Sequence, residues 1–174
     1  MPGQTPMQQP GQTNIPPAGM PSGPSLGDQA FVRQILESDA AEVKLGQLAQ
    51  QKSQSDDVKQ LGQNMVENRT NLDKQLKPIA EELSVNFPKE PSKKDRELIA
   101  KLGALSGPEF DQQYLQAVAK DNREDVKGFE SEAQAAQNPN LQQAAKLDQP
   151  VIQQHLESIE KIAQSHNVAV DEKK

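Results

Sequence analysis

Arg69 interrupts an apolar stripe. In QNMVENRTNLDKQL, residues 63–76, Met65, Leu72 and Leu76 recur at helical spacing, and Arg69 falls on the same face. A charged side chain placed there is costly unless something answers it. The groups able to answer it lie on the inward faces of other segments. Asp39 and Glu42 accompany Phe31, Val32, Ile35, Leu36 and Val43. Asp121, Asn122 and Asp125 accompany Phe110, Tyr114, Val118 and Phe129, and Asp148 and His155 lie among Leu141, Val151, Ile152, Ile159 and Ile162.

Two chemistries compete for these residues. In the first, Glu42, Asp121, Asp125 and His155 converge as oxygen and imidazole ligands on a divalent cation such as Mn, Fe, Zn or Ca, as in carboxylate sites of helical bundles. In the second, Arg69 pairs with acids of neighbouring helices, and Asp39, Asn122 and Asp148 complete a buried polar layer that fixes helix register. The excess of carboxylates over guanidinium leaves room for a cation, but equally for protonated acids or water. Catalytic signatures are missing. The Glu-x-x-His pair of iron-oxidising bundles is absent, because Ile152 stands three before His155 and Ala163 three before His166. There is no nucleophile elbow, phosphate loop or H-E-x-x-H, so no catalytic or cofactor-binding residue is assigned. His166 falls at a helix end and reads as a partner of the helix dipole.

Helices must position these side chains. The patterning predicts a first helix from Asp28 as N-cap to about Lys52, and a second from Ser55 to about Leu83, kinked at Pro78. VNFPKEP breaks the chain, and a short helix follows from Ser92 to about Leu105. Ser106 and Glu109 form a capping box opening a third long helix to about Gln137. NPN at 138–140 turns the chain into a last helix that runs to about His166 and bends at Pro150. Four long helices of about 36–45 Å imply an all-α four-helix bundle, with a short additional helix between the second and third long ones. Glu42, Arg69, Asp121, Asn122 and His155 each lie near mid-helix, so the polar groups should meet in one layer at the waist. Residues 1–27 are rich in Pro, Gln and Gly and read as a disordered tether; 28–167 form the bundle; 168–174 form a flexible tail.

Composition narrows the partners. Hydrophobic residues make up 33% and aromatics 3% of the 174, which argues for aliphatic packing and against an aromatic-lined substrate pocket. The 19 basic residues are interleaved with 25 acids, giving net charge −6, which disfavours nucleic acid. No apolar run approaches a membrane span and no leader is present in the sequence as given, so no membrane insertion is expected. Without cysteine there is no disulfide or thiolate site. Polar exposed faces make a monomer the default, with any protein partner unidentified.

The segments that carry these residues also resemble a known family. FVRQILESDAAEVKLGQLAQQKSQSDDVKQLGQNMVENRTNLDKQL, LSGPEFDQQYLQAVAKDNREDVKGFE and QPVIQQHLESIEKI together are similar to the bacterial ferritin-like family catalogued as domain of unknown function four-one-four-two, over about residues 29–166. Its members are often exported and labelled as outer-membrane proteins. The resemblance implies a ferritin-like bundle and a periplasmic or otherwise exported location, with a cytoplasmic one as the alternative; it implies no reaction. Where the family usually has Asp-His this chain has Asn68-Arg69, and Asn122 replaces a histidine, while Glu42 and His155 fit the pattern. If the family's histidines bind metal, this chain has one of three, and a guanidinium beside the vacant position repels a cation. The expectation is therefore a non-enzymatic bundle of the cell envelope with a structural or interaction role and no cofactor. The alternative is a metal-binding or metal-dependent redox protein using the same layer.

Overall fold

The computed structural model describes residues 23–170. Five helices follow in order: α1 (Leu26–Lys52), α2 (Asp56–Glu82), α3 (Lys93–Gly103), α4 (Gly107–Ala135) and α5 (Pro139–Ser165). The all-α expectation holds, with no strand among the described residues. α1 and α2 pack as one antiparallel hairpin and α4 and α5 as a second; α1 lies against α4 and α2 against α5. The α1 start meets the α4–α5 turn through Asp28, whose carboxylate accepts from the Gln137 and Asn138 amides at 3.2 and 2.6 Å. At the other pole His166, after α5, contacts Asp57 of the first α2 turn at 2.9 Å. These contacts set α1 and α5 pointing one way and α2 and α4 the other. Residues 83–106 must therefore traverse the length of the bundle, and α3 forms the second part of that crossing.

Helix ends explain most of the boundaries. Ser25, not Asp28, caps α1, accepting from the Asp28 amide at 3.4 Å. Asp28 lies inside the first turn because its carboxylate is committed to the α4–α5 turn. Ser55 and Ser106 stand at N-cap positions, but neither side chain makes a cap bond. The expected Ser106–Glu109 box is absent: Gly107 enters α4 at φ +60, with Ser106 fully extended before it. α2 and α5 end alike. Ser84 and Asn167 adopt φ of 58 and 55, and the amides of Val85 and Val168 return to the carbonyls of Ala80 and Ala163 at 2.8 Å. Val168 and Val170 then pack on the bundle, and Gln116 and Arg123 bond the carbonyls of Ala169 and Val170. The described residues thus include 168–170, which the sequence reading placed in the tail. Helix begins at Leu26, two residues inside the expected tether, and residues 1–22 and 171–174 lie outside the described part. Both interior prolines, Pro78 and Pro150, are carried within continuous helix.

Two apolar clusters fill the interior. One holds Phe31, Ile35, Leu76, Leu83, Phe129 and Leu141, with Phe31 and Phe129 edge to face at 5.2 Å. The other holds Leu45, Leu61, Met65, Leu102, Phe110 and Tyr114, with Phe110 and Tyr114 stacked at 5.4 Å. In the second, Gly46 and Gly62 bring the backbones of α1 and α2 together: a Cβ on Gly62 would lie 2.6 Å from the Gly46 carbonyl oxygen. Between the clusters lies the charged layer.

Candidate functional site: the buried polar layer

Arg69 is the centre. Its guanidinium, 1% exposed, donates to Asp39 Oδ1 at 3.0 Å and to Asn122 Oδ1 at 3.1 Å, pairs with Asp125 Oδ2 at 2.9 Å, and meets Glu42 through Nε. The Asn122 amide nitrogen donates to Glu42 Oε1 at 2.9 Å and, at the same distance, to the Val118 carbonyl of its own helix. Three helices thus hold one buried network: Asp39 and Glu42 from α1, Arg69 from α2, Asn122 and Asp125 from α4. Asp73, one turn after Arg69, stands close enough to Asp39 for the two carboxyl groups to influence each other. Such a pair can share a hydrogen bond only when one member holds a proton.

Burial decides the protonation. Asp39 and Glu42 are fully inaccessible and Asp125 is 3% exposed. Desolvation holds Asp39 well above the usual carboxylate range against the pull of Arg69, and pushes Glu42 up to about 8. It raises Asp125 and Asp73 as well. Burial alone would lower Arg69, but Glu42, Asp125 and Asp39 outweigh it and hold the guanidinium charged. One cation surrounded by acids that retain protons approaches neutrality, the cheapest state for charge out of water. Tyr114, raised by burial and then by Glu42, keeps its proton beside the layer; its hydroxyl finds no partner.

The candidate ligands do not converge. Glu42 and Asp125 turn onto Arg69. Asp121 faces a different cleft of about 190 Å³, shared with Glu37, Asp95 and Glu124, where burial raises its carboxyl to about 6. His155 Nε2 meets the Asn68 amide nitrogen at 2.6 Å, and burial, then Arg69, lowers its imidazole to about 4. Among the described residues no three His, Cys, Asp or Glu side chains are grouped to hold a metal ion. Of the four layer residues, Asp39, Arg69 and Asn122 share the network. Asp148 is buried elsewhere, in a cleft between α2 and α5 that Arg69 and His155 also line. Two participants escape helical-wheel reading: Asp73 and Asn68 sit beside the apolar stripe and reach inward only by their side chains. The i+4 spacing of Asp73 from Arg69 is the one sequence signal that marks it.

The backbone fold has solved neighbours. The DUF305 fragment from Deinococcus radiodurans superimposes with a TM-score of 0.71 at 14% identity, covering 83% of this chain and 99% of that one. A DUF305 protein from Streptomyces coelicolor, described as secreted, gives 0.70 at 12%, covering 83% and 95%. These identities speak for the fold alone. No curated protein matches the sequence. Among the described residues no helix is long and apolar enough to cross a membrane. Residues 14–162, which contain both hairpins' contributions to the Arg69 network, match the family described as Domain of unknown function (DUF4142), and the chain belongs to that family.

Proposed function

We propose that this protein is a non-enzymatic, ferritin-like bundle exported to the cell envelope, where it serves as a structural or interaction module. In this reading the Arg69 layer is internal architecture rather than a metal centre. The observation that carries it is the pairing of Arg69 with three acids: the carboxyl groups a cation would need are already turned onto a resident guanidinium. A divalent ion placed there would face like charge and would have to displace those pairs. The single long crossing between α2 and α4 supports the ferritin-like connection. The Streptomyces coelicolor neighbour, described as secreted, supports export over a cytoplasmic location.

Purified protein, analysed for bound metal and melted with Mn, Fe or Zn added, tests the reading, with His155→Ala alongside. A melting temperature that ignores each metal in both proteins is the expected result. Stoichiometric metal, or a rise of several degrees that disappears in His155→Ala, would replace it with the metal-binding reading.

A further inference from the structure

The bundle has two opposite seams, and they are treated differently. α3 packs on α1 and α4. Over α2 and α5 no described helix lies, and a cleft of about 210 Å³ stays open between them. Its walls combine hydrocarbon of Leu72, Val151 and Ile152 with the side-chain amides of Asn71 and Gln75. Leu147, one turn before Val151 on α5, is 62% exposed and Val151 45%, so an apolar edge runs along the cleft. Arg69 and Asp148 also line it, the first opposing a cation and the second an anion. The fitting occupant is uncharged, partly apolar and rich in hydrogen-bond acceptors.

The chain carries such a segment. Residues 1–22, outside the described part, contain no charged side chain, six prolines, and the apolar Met7, Ile15 and Met20. They join the bundle at the mouth of this seam: Gly23 and Pro24 border a hollow with Glu82 and Leu83 at the end of α2 and with Asn138 and Pro139 at the start of α5. The lengths agree. Leu147 and Val151 stand about 12 and 18 Å along α5 from Pro139 at the helical rise. Met20 and Ile15, three and eight residues before Gly23, reach about 9 and 25 Å in the extended form that proline favours. We propose that residues 12–22 dock along the α2–α5 seam, with Met20 beside Leu147 and Ile15 beside Val151. Backbone carbonyls of the segment accept from Asn71 and Gln75, and its prolines, lacking an amide hydrogen, leave few donors unanswered. Their fixed φ also reduces the freedom lost on seating. The proposal does not rest on the reading of the Arg69 layer.

The test uses the full chain. Because it has no cysteine, Asn14→Cys accepts a single nitroxide label, read by amide-resolved NMR. Loss of signal is expected at residues 71–75 and 147–155, and not around Ser38 and Glu124, which line the opposite seam at about the same height. Ile15→Asp with Met20→Asp, both outside the bundle, should restore the lost signals, and Val151→Lys should restore them from the other side of the contact. Equal loss on both seams, no loss beyond the pole where the segment joins, or loss that the variants leave unchanged would overturn the assignment. So would loss in a mixture of isotope-labelled chain and nitroxide-bearing chain, which would give the seam to a second copy.

Discussion

Raising the pH from about 6.5 to about 8 should weaken this fold, the reverse of a protein held by ordinary salt bridges. The folded protein keeps a proton on Glu42 up to about 8, whereas the free side chain releases it near 4.5. Burial is the larger cause, and Arg69 only moderates it. A carboxyl raised in the fold contributes stability that is fully present below its unfolded value and lost as pH rises through its folded one. Each retained proton costs about 1.4 kcal/mol per pH unit, hence about 2 kcal/mol across this window. Asp39 and Asp125 are raised too, and because they share one guanidinium the layer titrates as a unit. His155 works in the opposite sense: lowered from 6.5 to about 4, it contributes stability present above 6.5 and lost as pH falls through 4. Asp121, raised to about 6, has released most of its proton by the start of the window and adds only a small slope of the same sign. Urea unfolding followed by circular dichroism at closely spaced pH values measures the slope. Glu42→Gln, which retains an acceptor for Asn122, should flatten it. A wild-type stability that climbs with pH between about 6.5 and 8 would refute the argument that the buried acids hold protons.

Other perturbations have definite signs. Arg69→Met should destabilise by about 3–5 kcal/mol at neutral pH in urea unfolding, because the acids lose the buried cation that pairs with them. Gly62→Ala should cost about 1–3 kcal/mol despite its better helix propensity, since the new Cβ would meet backbone that cannot swing aside; a urea midpoint reads this directly. Asp28→Ala should cost about 1–3 kcal/mol by leaving the Gln137 and Asn138 amides unanswered, and hydrogen exchange at those two amides should accelerate.

The helices were legible because apolar residues recur at helical spacing and Pro, Gly and Ser punctuate them. The expected layer of Glu42, Arg69, Asp121, Asn122 and His155 came from the same source: periodicity gives each residue an angle and a height. What periodicity lacks is the direction of a side chain at the edge of a stripe. Asp121 and Asp125 are one turn apart on α4, yet only Asp125 reaches Arg69. Asp148 has the right angle but, like His155 nearly two turns further along α5, lines the cleft between α2 and α5 rather than joining the Arg69 network. Capping was misread at Asp28 because its partners, at Gln137 and Asn138, are more than a hundred residues away, and no local rule sees them.

The network is divided between the hairpins. α1 and α2 supply Arg69, Asp39 and Glu42, while α4 supplies Asn122 and Asp125. Each hairpin can assemble from contacts near in sequence, but their union must strip water from a charge cluster that one of them already carries. That desolvation is a cost of joining the two halves. Solvent acidity, by setting how many protons the first hairpin brings to the encounter, changes the size of that cost.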